Sequence, residues 1–152
     1  FVWLFFVTVA EHCLASFPLC MGNRVVLQHT ESGLFLDVNG NVKNCTPALV
    51  TAKNNRDQWF ILEKVQNLVY IKADHHPQRK ICVTGNGIVQ LHGKGSTPAE
   101  GFEVIMIEEN GHRLAQFKSP KGYLGGPPFS GPVAMLPTGR NRLTLWRIMF
   151  KQ

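Results

Sequence analysis

A few residues of this chain are of types that can do chemistry, and their spacing decides whether they do. His75-His76 are adjacent, so their imidazoles diverge and form a poor metal pair without a third ligand. Cys45 and Cys82 lie far from any CxxC spacing, so they form no metal or redox motif. A disulfide between them would need an oxidising compartment and close Cβ atoms, and the pair is expected to be two free thiols. Gly93-Lys94-Gly95-Ser96-Thr97 has the composition of a phosphate loop but lacks the first glycine of the motif and a following helix. Glu108-Glu109 fall where a strand pattern meets a glycine turn, where solvated carboxylates are common. There is no GxSxG, no carboxylate pair at a defined spacing and no Cys/His/Asp constellation. The chain is therefore not expected to be an enzyme, and no cofactor or metal is implied.

What remains is charge. Sixteen Lys and Arg against ten Asp and Glu give a formal charge of +6 over 152 residues. Such a balance suits an acidic partner: an acidic filament, a sulfated glycan, an anionic membrane or a nucleic acid. Arg79-Lys80, Lys118 with Lys121, and Arg140 with Arg142 fall in turns or at strand edges. They are the candidate basic patch. Asn44-Cys45-Thr46 is an N-glycosylation triplet, meaningful only in a secreted protein. Gly22, after Met21, stands where an N-myristoylated glycine would, although MGNRVVL has no hydroxyl residue at the customary place.

These residues sit on a repeating scaffold. Residues 1–20 are largely apolar, without Lys or Arg, and are read as outside the fold: a signal-like segment or an upstream extension. Residues 21–152 form one domain of three units, each about forty residues long. Trp59, Phe102 and Trp146 recur at near-constant spacing, preceded by Leu36, Ile81 and Leu124. Each unit holds four short apolar runs divided by Gly, Asn, Asp or Pro turns, with Asn39-Gly40 and Asn86-Gly87 as type I′ hairpin signals. Four strands in three copies predict an all-β fold, the β-trefoil: a six-stranded barrel closed by three hairpins, with pseudo-threefold symmetry. The two residue series are its expected core.

With the units aligned, the chain resembles the actin-cross-linking trefoils, the fascins and hisactophilins. The third unit carries the likeness in Phe102-Glu103-Val104-Ile105, Arg113-Leu114-Ala115-Gln116 and Lys121-Gly122-Tyr123-Leu124-Gly125-Gly126. The MGNR opening and Gly33-Leu34-Phe35-Leu36 are similar to hisactophilin. The resemblance implies a cytoplasmic, cytoskeletal module that binds actin filaments through the basic patch and associates with membranes if Gly22 is acylated. Nucleic acid is not an expected partner. Hisactophilin loops are dense in histidine, whereas this chain has six in all, so pH sensing is not carried over. A second resemblance, to fibroblast growth factors, rests on Leu68-Val69-Tyr70-Ile71-Lys72 and Ile107-Glu108-Glu109-Asn110-Gly111. It implies a secreted ligand for a receptor and for heparin. The loop Pro137–Arg142, however, holds two basic residues where those proteins are dense in them.

Overall fold

The computed structural model describes residues 22–41, 44–92 and 101–150. The segment 1–20 and the Gly93–Thr97 stretch lie outside the described residues. The described residues hold thirteen strands, short 3-10 turns and no α-helix. Six strands close a ring: β1 (Arg24–His29), β4 (Phe60–Val65), β5 (Leu68–Ala73), β8 (Gly101–Glu109), β9 (His112–Ser119) and β13 (Trp146–Phe150). β1 pairs β4, β4 pairs β5, β5 pairs β8, β8 pairs β9, β9 pairs β13, and β13 returns to β1, all antiparallel. Closure leaves no barrel strand with a free edge.

Three hairpins cover one end of the ring: β2 (Phe35–Asp37) with β3 (Ala48–Val50), β6 (Lys80–Val83) with β7 (Val89–His92), and β10 (Gly122–Gly125) with β12 (Ala134–Leu136). Their centres are equivalent. Leu36 faces Leu49, Ile81 faces Leu91, and Leu124 faces Met135. This is the β-trefoil, three four-stranded repeats about a pseudo-threefold axis. The two-residue β11 (Gly131–Pro132) is an addition that pairs with β3, and Ser130 Oγ donates to the Leu49 carbonyl at 2.9 Å. The third repeat is thereby tied back to the first.

The core follows from strand alternation. Along β1 and β5 every second residue is buried: Val25, Leu27 and His29, then Val69, Ile71 and Ala73. Each repeat adds one aromatic to the barrel centre across from a smaller residue. Val25 faces Phe60, Val69 faces Phe102, and Ala115 faces Trp146. The larger indole is matched with the smaller alanine. The Trp146 indole N–H also donates to the Leu124 carbonyl at 2.9 Å, which locks β13 to the third hairpin. Phe102 meets Phe117 edge to face with centroids 6.1 Å apart.

Two expectations need correction. Trp59 is not the first repeat's core aromatic; Phe60 is, with no exposed surface. Trp59 ends a 3-10 turn (Arg56–Gln58) capped by Asn55, so β4 starts one residue later and its inward face is Phe60 and Leu62. Asn86-Gly87 is not a type I′ pair either. Asn86 keeps negative φ while Gly87 takes φ 82°, and Gly87 N–H donates to the Thr84 carbonyl at 2.9 Å. Asn39-Gly40 does take positive φ at both residues, 47° and 79°, and so does Asn110-Gly111, at 51° and 79°, which joins β8 to β9 in two residues.

The volume match between Ala115 and Trp146 is testable. Ala115→Val should destabilise by about 1–3 kcal/mol through overpacking. Adding Trp146→Phe should recover part of that loss, so that the double variant is more stable than the sum of the singles. Denaturant unfolding of the four proteins measures the coupling.

Candidate functional site

The third repeat carries three of the six expected basic residues on the segments that flank one aromatic, Tyr123. β9 ends in a tight turn, where Ser119 Oγ accepts from Lys121 N–H at 3.0 Å. The chain re-enters at Gly122 with φ 120°, and a Cβ there would lie 2.3 Å from the Leu136 carbonyl oxygen, so this approach of β10 to β12 needs glycine. Tyr123 follows, directly opposite Lys118 on β9, with the Lys118 ammonium 5.8 Å from the ring centroid. The loop after β12 lies against the same ring, since a Cβ on Gly139 would lie 2.8 Å from Tyr123. Gln116 holds that loop through its Nε2, which donates to the Gly139 carbonyl at 2.6 Å and to Thr144 Oγ1 at 2.8 Å. Arg140 comes next, its N–H bonded to Thr138 Oγ1 at 3.2 Å. Lys118, Lys121 and Arg140 are all exposed.

The other three go elsewhere. Arg142 was expected in the patch, but its guanidinium is turned onto two carboxylates. It donates from Nη1 and Nη2 to both oxygens of Glu109 at 3.0 and 2.9 Å, and from Nε to Glu31 at 3.2 Å. This pairing holds Glu109 below the ordinary carboxylate range and raises Arg142. Glu109 is therefore a clamp residue and not merely a solvated turn. Arg79 and Lys80 belong to the second repeat, and β5 and β8 separate β6 from β9. Lys80 lies 4.7 Å from the Tyr70 ring centroid.

A second clamp was missing from the sequence reading. Arg56 Nε donates to Asp74 Oδ2 at 2.7 Å, and Arg24 Nε lies 3.3 Å from Asp74 Oδ1 with its guanidinium 5.2 Å from the Trp59 ring centroid. Arg56 and Arg142 are equivalent. Each follows a capping asparagine, Asn55 or Asn141, and stands four residues before a core aromatic, Phe60 or Trp146. Each reaches forward to an acid of the next repeat around the ring. That twice-written Asn-Arg spacing was the available signal.

The remaining candidates are placed as follows. Gly22 is exposed with φ 81°, and its N–H donates to the Leu62 carbonyl at 3.3 Å. Asn44 is an exposed turn residue with φ 64°, its N–H bonded to the Leu91 carbonyl. Cys45 and Cys82 form no disulfide; burial pushes the Cys45 thiol up, and it donates to the Val38 carbonyl at 3.3 Å. His75 Nδ1 lies 4.0 Å from Asp57 Oδ1, and the two adjacent imidazoles are 6.4 Å apart at 80°. Among the described residues no three His, Cys, Asp or Glu side chains cluster as metal ligands.

One buried titratable group is part of the packing. His29 occupies the place that Ala73 and Ser119 fill in the other repeats and packs against Trp146 at 5.2 Å. Its Nε2 lies 2.8 Å from the Leu143 carbonyl, which can only accept, so the proton sits on Nε2. Nδ1 then accepts from Ser32 Oγ, also at 2.8 Å. Burial lowers the imidazole below its usual value, against the smaller opposing effects of the Leu143 bond and the Glu31 charge.

No protein-family profile and no curated protein matches the chain. Solved structures do. The chain is similar to ThreeFoil, a designed threefold-symmetric protein, at 12% identity and TM-score 0.69, over 84% of this chain and 99% of that one. It is also similar to a mosquitocidal holotoxin at 9% identity and TM-score 0.74, over 87% of this chain but 18% of the toxin. At these identities the likeness shows the fold, and the chemistry must be argued from the side chains.

The neutral tautomer of His29 sets a pH dependence. The unfolded imidazole titrates near about 6.5 and the folded one lower, so the stabilisation is complete above that pH and drains as pH falls through it. The unfolding midpoint should drop between pH 7.5 and 5.5. His29→Gln, which keeps a donor towards Leu143, should flatten that slope.

Proposed function

We propose that this chain is a non-enzymatic binding module that docks on the acidic surface of actin filaments through its third repeat. The observation that carries the reading is that Lys118, which lies over Tyr123, and Lys121 and Arg140, on the turn and loop that flank the Tyr123 hairpin, are all exposed. The same hairpin holds the Lys121–Gly126 segment on which the resemblance to fascins and hisactophilins rests. Three exposed cations on the segments that flank one hairpin favour association with an acidic filament, and salt screens that attraction over about 8–10 Å. Arg142 contributes by holding the neighbouring turn, since its charge is already answered by Glu109 and Glu31. A cytoplasmic site of action follows from this reading, and an acyl chain on Gly22 would add membrane attachment.

A second reading is favoured by Asn44, whose triplet lies on the surface with both Asn44 and Thr46 exposed. It describes a secreted trefoil that binds a receptor and heparin. A mobility shift on glycosidase treatment of the protein from a secreting cell would favour it.

Co-sedimentation with actin filaments separates the two. Saturable pelleting at physiological salt is expected, with affinity reduced about tenfold or more by combined Lys118→Glu, Lys121→Glu and Arg140→Glu. Arg79→Gln with Lys80→Gln should leave pelleting unchanged. Absence of pelleting at low and physiological salt alike would overturn the actin reading.

A further inference from the structure

The three repeats supply an internal comparison of one surface row. In each, a residue near the end of a barrel strand faces the first residues of the hairpin, and that residue faces the second hairpin strand. In the first repeat the row is Gln28, Phe35 and Val50. In the third it is Lys118, Tyr123 and Leu136. In the second it is Lys72, Lys80 and His92. Residues directly opposite on antiparallel strands project from the same face with Cβ atoms about 4.5–5.5 Å apart, and like charges there are destabilising. The scaffold does not require cations in this row, because the first repeat fills it with an amide and two apolar groups. The second repeat alone fills it with two lysines and a histidine.

We propose that the Lys72–Lys80–His92 row is a binding site for a sulfate or phosphate group, free or esterified. Nearby groups already orient its two lysines. Glu63 Oε2 accepts from Lys72 Nζ at 3.0 Å from the β4 side, and the Tyr70 ring lies under the Lys80 ammonium at 4.7 Å. Both lysines are partly buried, so their stems are held by packing. A dianionic oxygen cluster seated over the row would accept charge-assisted hydrogen bonds from the Lys80 ammonium, from the Lys72 ammonium that it would share with Glu63, and from an imidazole N–H. The site is separate from the third-repeat surface and does not depend on actin binding.

The test uses the full chain with inorganic sulfate, inorganic phosphate and a sulfated disaccharide, each against chloride at matched ionic strength. Binding is read by calorimetry and by the His92 ring resonances. Saturable binding that perturbs His92 is expected, with affinity falling about tenfold or more in Lys80→Gln and Lys72→Gln and unchanged in Lys118→Gln. Melting of each variant without ligand checks that it is folded. Tighter binding of the disaccharide than of either free anion would identify a glycan sulfate as the source, and the reverse order would identify a free anion. Equal affinity in wild type and both row variants, or no saturable binding of any probe, would overturn the proposal.

Discussion

The structure depends on filling one barrel from three places in the chain. Phe60, Phe102 and Trp146 are separated by long stretches of sequence, yet all three are fully buried in the same interior. A single repeat would leave its aromatic and its inward strand faces in water, so burial arrives only when all three units close together. The asymmetry of the filling is informative. Val25 and Val69 face phenylalanines, and Ala115 faces the tryptophan, which keeps the filled volume similar around the axis while the residues differ. Inter-repeat clamps then fasten the seams from outside: Arg56 on Asp74, and Arg142 on Glu31 and Glu109.

Because the interior is committed, change is confined to the outward rows. The same three surface positions carry an amide with two apolar groups in one repeat, three bases in the next, and a lysine beside a tyrosine and a leucine in the last. Backbone pairing holds each row at the same register, so a substitution alters chemistry without moving its neighbours. The trefoil thus presents three independently variable faces at fixed angles. Knowledge of the fold leaves their ligands open.

Much of this was legible in the sequence. Leu36, Ile81 and Leu124 form one buried layer, and Phe102 and Trp146 sit where their spacing put them. The error at Trp59 was of one residue. In a strand, one residue separates inside from outside, and the start of β4 is set by the Asn55 cap, a local hydrogen bond that hydrophobic spacing does not report. Asn86-Gly87 has the composition of a type I′ turn, but the Thr84 side chain accepts from Ile88 N–H and draws the turn into a longer form. The basic residues were the least legible. Arg142 and Arg140 are two positions apart and both exposed, yet Arg142 is bound by carboxylates from β8 and from the turn after β1 while Arg140 is fixed only at its backbone N–H, on Thr138. Only tertiary contact distinguishes them.

The seam between β1 and β13 also decides how the molecule would bear load. Its register places Val25 against Phe150 and His29 against Trp146, so the outer ends of the first and last strands lie side by side. Tension applied through the two chain ends would enter at that corner. The backbone bonds would then break one pair at a time, as in a zipper, and would not resist together in shear. With that seam open, the ring becomes an open sheet with Trp146 at its edge. As a link between two tethers, the domain would be a weak, early-yielding element. As a decoration held by one face, it would never load that corner.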